Sequence, residues 1–151
     1  MNPLHVYDYE ELYRSVRPDQ YKTISGKIII SASAFNDRER KPSVDRSWPG
    51  RDPKDARQSQ ADGITKLFAR EIRSTCNVPI FDKKQRQTDQ HAVDVLHRPI
   101  INRPDEPDNP AHCQIECDPS IEKDNSFKRL KEALAGLATR VGLIVKPDSM
   151  V

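Results

Sequence analysis

Five side chains with metal-ligating chemistry, His91, His97, His112, Cys113 and Cys117, lie in the second half of the chain. Zinc takes four such nitrogen and sulfur ligands at close to tetrahedral geometry. Cys113 and Cys117 have the spacing of ligands on a helix or loop, but His112-Cys-Gln-Ile-Glu-Cys117 alternates as a strand does. Along a strand the two thiols stand roughly 13 Å apart, beyond the reach of one ion, and His112 faces the other way. No metal is expected, and the thiols read as small hydrophobes. A second chemistry is acid–base cleavage of a phosphodiester, as in a small histidine-based ribonuclease or toxin. It would need Asp94, His97 and His112 on neighbouring strands within hydrogen-bond reach of one phosphate.

A third arrangement runs through Arg14 in Leu12-Tyr-Arg14, Ser33 in Ser31-Ala-Ser33, and Glu116 in Gln114-Ile-Glu116. Their order resembles the Arg, Ser, Gln-x-Glu arrangement of one class of ADP-ribosyltransferases, without that class's usual Ser-Thr-Ser. The resemblance implies a nicotinamide dinucleotide (NAD), with a guanidinium on its phosphates, a hydroxyl near its ribose and a glutamate facing an oxocarbenium-like transition state. Apart from that resemblance, Arg14 reads as a surface ion-pair partner, Ser31 and Ser33 as ordinary strand positions, and Glu116 as the wet face of a strand.

These residues need elements to hold them. Phe127, Leu130, Ala133, Leu134, Leu137 and Val141 recur at helical spacing, opposite Lys128, Lys131, Glu132, Thr139 and Arg140, and predict an amphipathic helix over 127–141. Asp124, Asn125 and Ser126 are candidates for its N-cap, and Gly142 for its stop. Its apolar stripe needs a sheet face, and the Cys113, Ile115, Cys117 side of the preceding strand suits it. That would leave His112, Gln114 and Glu116 on the opposite face. Strands are also predicted at Lys27–Phe35, apolar on both faces and so interior to the sheet, and at His91–His97, with a short one at Ser43–Asp45. Tyr9–Val16 reads as a short helix or strand, and Leu143–Val145 as a short edge strand.

Asp52-Pro53-Lys54-Asp55 has the chemistry of a helix start and predicts a helix continuing to about Thr75, with Gly63 as a possible break. Glu71 would then project into its stripe and need a partner or a route to solvent. The fold class that follows is α+β: a mixed or mainly antiparallel sheet of four to six short strands, two main helices and long polar loops. At 151 residues the chain is expected to be a single domain, 1–151, with an ordered core over about 9–147.

Hydrophobic residues make up 35% of the chain and charged residues 32%, and there are 12 prolines, which favours short elements joined by polar connections. The 25 basic and 23 acidic side chains are interspersed, an argument against a dedicated nucleic-acid binder. The N-terminus lacks the pattern of a secretory signal, no stretch reaches the length of a membrane span, and three cysteines suit a reducing compartment, so a cytoplasmic protein is expected.

Leu12-Tyr-Arg14, Ile30-Ser-Ala-Ser-Ala-Phe35, Pro42-Ser-Val-Asp45 and Asn109-Pro-Ala-His112 together resemble a family of small bacterial proteins, over roughly residues 10–145. The resemblance implies a bacterial origin and an autonomous domain, and supplies no activity. With no cofactor fingerprint and no single-sign surface, the leading expectation is a protein-binding or accessory module with a protein partner, in a bacterial multicomponent system of the defence or conflict kind. Trp48, in the turn Ser47-Trp-Pro-Gly50, is the candidate binding anchor, or else a lid over the core.

Overall fold

The computed structural model describes residues 4–47 and 51–148; Trp48 lies outside the described residues. The chain forms β1 (Glu11–Val16), β2 (Tyr21–Ile24), β3 (Lys27–Ile30), β4 (Ser43–Arg46), β5 (Gly63–Phe68), α1 (Ala69–Thr75), β6 (Val78–Phe81), β7 (Gln87–His97), β8 (His112–Asp118) and α2 (Asp124–Val141). Six strands make one antiparallel sheet in the order β5-β1-β4-β8-β7-β6, and β2 and β3 form a separate hairpin. This is an α+β fold of short strands with two helices.

Period-two alternation sorts the sheet into two faces. One carries Leu12, Val16, Val44, Leu67, Val93, Val95, Cys113 and Ile115, all buried. Against it lies the stripe of α2, in which Leu130 and Leu134 have no exposed surface. Burying a leucine side chain contributes about 1.5–3 kcal/mol, so this contact anchors the domain. Cys113 and Ile115 therefore face α2, while His112 and Gln114 point away, as the alternation predicts. Lys123 takes the N-cap position of α2 without a side-chain cap bond, and Asp124 falls in the first turn, where its charge suits the helix dipole. At the other end Gly142 has a φ of 77° and donates its N–H to the Ala138 carbonyl.

Two predicted elements are replaced. The strand expected over Lys27–Phe35 stops at Ile30, and Ala32–Phe35 turns into a 3-10 helix. Nor is β3 interior to the sheet: it pairs only with β2, and its Ile30 N–H donates to Thr139 Oγ1 on α2 at 3.0 Å. The 3-10 turn instead drives Ala34 and Phe35 into the core. The helix expected from Asp52 to Thr75 is in fact three elements. Asp52 does cap, accepting from the Lys54 N–H, but only for the 3-10 turn Pro53–Ala56; β5 follows, and only Ala69–Thr75 is α-helical. Gly63 opens β5 where the C-terminal segment crosses it: a Cβ there would meet the Leu143 methyls at 3.0 Å and the Val145 oxygen at 3.1 Å. Val145 makes a single bridge to Ile64 rather than a strand. Glu71 is half-exposed, and Arg140 stands 3.8 Å away.

Among the described residues, no helix is long and apolar enough to cross a membrane, and no three His, Cys, Asp or Glu side chains gather closely enough to hold a metal ion. All three cysteines are free thiols; burial pushes Cys76 up to about 11, and Cys113 and Cys117 to about 12.

Candidate active site

On the face of the sheet away from α2, strands β1, β4 and β8 lie side by side. Tyr13 pairs with Asp45, Asp45 with His112, and Ser43 with Gln114. The register therefore sets Tyr13, Asp45 and His112 in one row, with Ser43 beside His112 in the next. Over them opens a cleft of about 560 Å³, walled by the 3-10 turn after Pro53 on one side and by Glu106, Pro107 and Asn109 on the other.

The His112 ring is held at both nitrogens. Nδ1 lies 2.7 Å from the Arg98 carbonyl oxygen, and Nε2 lies 3.0 Å from Ser43 Oγ. A carbonyl only accepts, so Nδ1 carries the proton of the neutral ring and Nε2 is left to accept from the Ser43 hydroxyl. This is the logic of an activated nucleophile: a hydroxyl bonded to a base, and the base oriented by a third group. Here that group is a main-chain carbonyl. Both Ser43 and His112 are half-buried, within reach of the cleft.

The surroundings fix Ser43 from behind. Its N–H donates to Asp37 Oδ2 at 2.7 Å, and its carbonyl accepts from Arg14 Nη1 at 2.8 Å. Arg14 also donates to Asp37 Oδ1 and Oδ2 and to the Ala34 carbonyl, and its guanidinium sits 5.4 Å from the centre of the Phe35 ring. Arg14 thus braces the strand that carries Ser43. Asp45 accepts from Asn109 Nδ2 at 2.9 Å and from Arg51 at 3.2 Å. Because the Ser43 amide is committed to Asp37, it does not point at a substrate oxygen.

Of the residues singled out in the sequence, Arg14 lines this cleft; Ser33 and Glu116 do not. Ser33 lies in the 3-10 turn, not on a strand, with its hydroxyl against that of Ser31. Glu116 accepts from Arg98 Nε at 2.9 Å, and Lys41 stands 4.0 Å away. Asp94 is paired with Arg73 at 2.7 Å. His97 and His112 project from opposite faces of the sheet, because His97 pairs with Cys113. His97 faces Arg46, whose Nη1 lies 3.4 Å from its Nδ1.

Sequence reasoning singled out His112 but missed Ser43, its partner across 69 positions of chain. The Pro42–Asp45 and Asn109–His112 segments meet in the fold through Ser43 and His112 and through Asp45 and Asn109. Arg14 joins the segments of Ala34 and Ser43 to the same place by donating to both carbonyls. No family model, curated protein or solved structure matches the chain.

Proposed function

We propose that the chain is a small enzyme whose nucleophile is Ser43 and whose general base is His112, acting in acyl transfer to water. The observation that carries this reading is the Ser43 Oγ to His112 Nε2 hydrogen bond of 3.0 Å, with Nδ1 held by the Arg98 carbonyl. Oγ attacks the substrate carbonyl carbon while its proton passes to Nε2. Collapse breaks the bond to the leaving group, which takes that proton. Water then attacks the acyl carbon, giving a proton to His112; the acyl–Oγ bond breaks, the carboxylic acid leaves, and Oγ takes the proton back from His112. With no Ser43 amide to receive it, charge on the carbonyl oxygen is met by a guanidinium: Arg17, in the cleft lining, has a side chain 64% exposed and is held only loosely, at 3.4 Å from Asp19.

The test is labelling with a fluorophosphonate, which modifies serines whose hydroxyl is activated. One adduct at Ser43 is expected by intact mass and peptide mapping, lost in Ser43→Ala and reduced at least a hundredfold in rate in His112→Ala. An unmodified protein, or label spread equally over other serines, would end the proposal.

A second reading, a protein-binding accessory module of a bacterial multicomponent system, is favoured by the aromatic group before β1. His5 packs edge-on to Tyr7, Tyr7 stacks on Tyr9 with ring centres 5.6 Å apart, and Tyr9 is 67% exposed. Tyrosines presented this way are enriched at protein interfaces. A photo-crosslinker at position 9 is expected to capture one defined partner in cells; diffuse crosslinking refutes this reading.

A further inference from the structure

We infer that the cleft selects a substrate bearing a cationic group, an ammonium or guanidinium, and that Asp62 receives it. The inference rests on the Ser43–His112 reading for the position of the reacting carbonyl, while Asp62 itself stands on separate observations.

Asp62 is only 4% exposed, yet it lines the cleft. Its Oδ2 accepts one hydrogen bond, from Ser15 Oγ at 2.8 Å. Ser15 is the donor there because a carboxylate only accepts, and the Ser15 oxygen in turn accepts the Gln58 N–H at 3.3 Å. Among the described residues no Lys, Arg or His side chain lies within 4.0 Å of Asp62, and nothing donates to its Oδ1. Nor is Oδ1 sealed in the protein, for among the described residues the one fully buried side-chain atom without a hydrogen-bond partner is Arg51 Nε. A carboxylate removed from bulk water and given one neutral hydroxyl is under-compensated. It is open on the side that faces the cleft.

Of the other charges along the cleft, Arg17 and Asp55 are exposed to solvent, and the more buried ones are matched from outside it. Arg14 is neutralised by Asp37, Arg57 by Asp148 at 2.8 Å, and Asp45 by Arg51. Asp62 is the buried lining charge without such a partner. A ligand cation would complete its shell with charge-assisted hydrogen bonds, which are stronger than neutral ones.

The sheet gives the spacing. Ser15 and Ser43 lie on the same face of adjacent strands, each two residues beyond the paired Tyr13 and Asp45. Neighbouring strands are about 4.8 Å apart, so the Ser43 hydroxyl and the Asp62 carboxylate are separated by on the order of 10 Å. A substrate that reaches both carries its cation several bonds from the scissile carbonyl, as the side chain of an arginyl or lysyl acyl group does. The class is therefore basic acyl esters or amides.

Calorimetry with benzamidine and its neutral analogue benzamide tests Asp62 on the unmodified protein. Benzamidine is expected to bind at least tenfold more tightly than benzamide, and Asp62→Asn to remove that difference. The same measurements in Ser43→Ala should give the same preference, because cation binding does not use the nucleophile. Equal affinity for the two compounds, or a preference that survives Asp62→Asn, overturns the inference even if Ser43 is labelled by fluorophosphonate. Conversely, a preference lost in Asp62→Asn without labelling of Ser43 upholds the cation site and refutes the acyl-transfer reading. Kinetically, 4-nitrophenyl 4-guanidinobenzoate should acylate Ser43 at least ten times faster than 4-nitrophenyl benzoate, a ratio that falls towards one in Asp62→Asn.

Discussion

His97 on β7 and His112 on β8 lie on neighbouring strands, one position out of register, and have opposite surroundings. His97 turns inward to a buried polar group: Arg46, 3% exposed, donates to both oxygens of Glu10 at 2.7 and 2.8 Å and to the His5 carbonyl at 2.9 Å. Glu10 Oε2 also accepts the Tyr7 N–H at 2.7 Å. His112 turns outward to a cleft, where its ring is oriented and its serine partner still meets solvent. The inner group is closed on itself, and the outer one keeps capacity for another molecule. Residue type does not separate structural from reactive polar groups here; the side of the sheet does.

The largest expected effect is on the inner group. Removing one partner of a buried ion pair leaves the other charge without compensation, so Glu10→Ala should lower stability by about 3–5 kcal/mol in urea unfolding. A well-packed apolar double replacement, Glu10→Leu with Arg46→Met, should recover most of that loss. If Glu10→Ala costs under about 1 kcal/mol, the inner group is not the brace its geometry implies.

Next in size is a pH effect. Burial, and then the neighbouring Arg46 charge, hold His97 below the ordinary imidazole value of 6.5. Above that pH the ring is neutral in both folded and unfolded chains and contributes nothing. As pH falls below it, the unfolded chain takes up a proton that the folded one resists, and stability falls until the folded value is passed. Urea unfolding between pH 7.5 and 5 should show this loss, and His97→Gln should flatten it. An unchanged slope would mean that other groups set the acid limb.

The smallest effect on stability is expected at the outer group. Ser43→Ala removes one half-exposed hydrogen bond and should cost about 1 kcal/mol or less in the same assay, while eliminating fluorophosphonate labelling. A loss as large as that of Glu10→Ala would place Ser43 among the structural groups and erase the contrast.

Much of this was legible in the sequence where one period governed one element. The stripe of α2 runs through several turns, and β8 alternates without interruption, so the helix, the strand and the outward direction of His112 all follow from spacing. β5 was illegible for a physical reason. Ile64, Thr65 and Leu67 are all buried, Thr65 against α2 and Ile64, on the other face, in a bridge with Val145; with buried residues on both faces the period of two vanishes, and Ile64, Leu67 and Ile72 mimic a helical stripe. The cap at Asp52 was real but local. In Lys27–Phe35, β-branched residues predicted extension, and the bend after Ile30 comes from packing Phe35 into the core. The site was half legible: His112 was a candidate, but strand register chose its partner. Arg14 was also a candidate, yet its donors serve Asp37 and two carbonyls in the folded chain.

The position of β4 has a further consequence. It is four residues long and pairs with β8 through three rungs, Ser43–Gln114, Val44–Cys113 and Asp45–His112. This seam joins β5-β1-β4, from the N-terminal half of the chain, to β8-β7-β6, from the C-terminal half. Contacts between residues close in sequence form with little loss of chain entropy, and distant ones form at greater cost. The union of Ser43 with His112 spans 69 positions. The pair therefore comes into being when the two halves of the sheet are zipped together, and a nascent chain that has not yet released β8 carries the serine without its base.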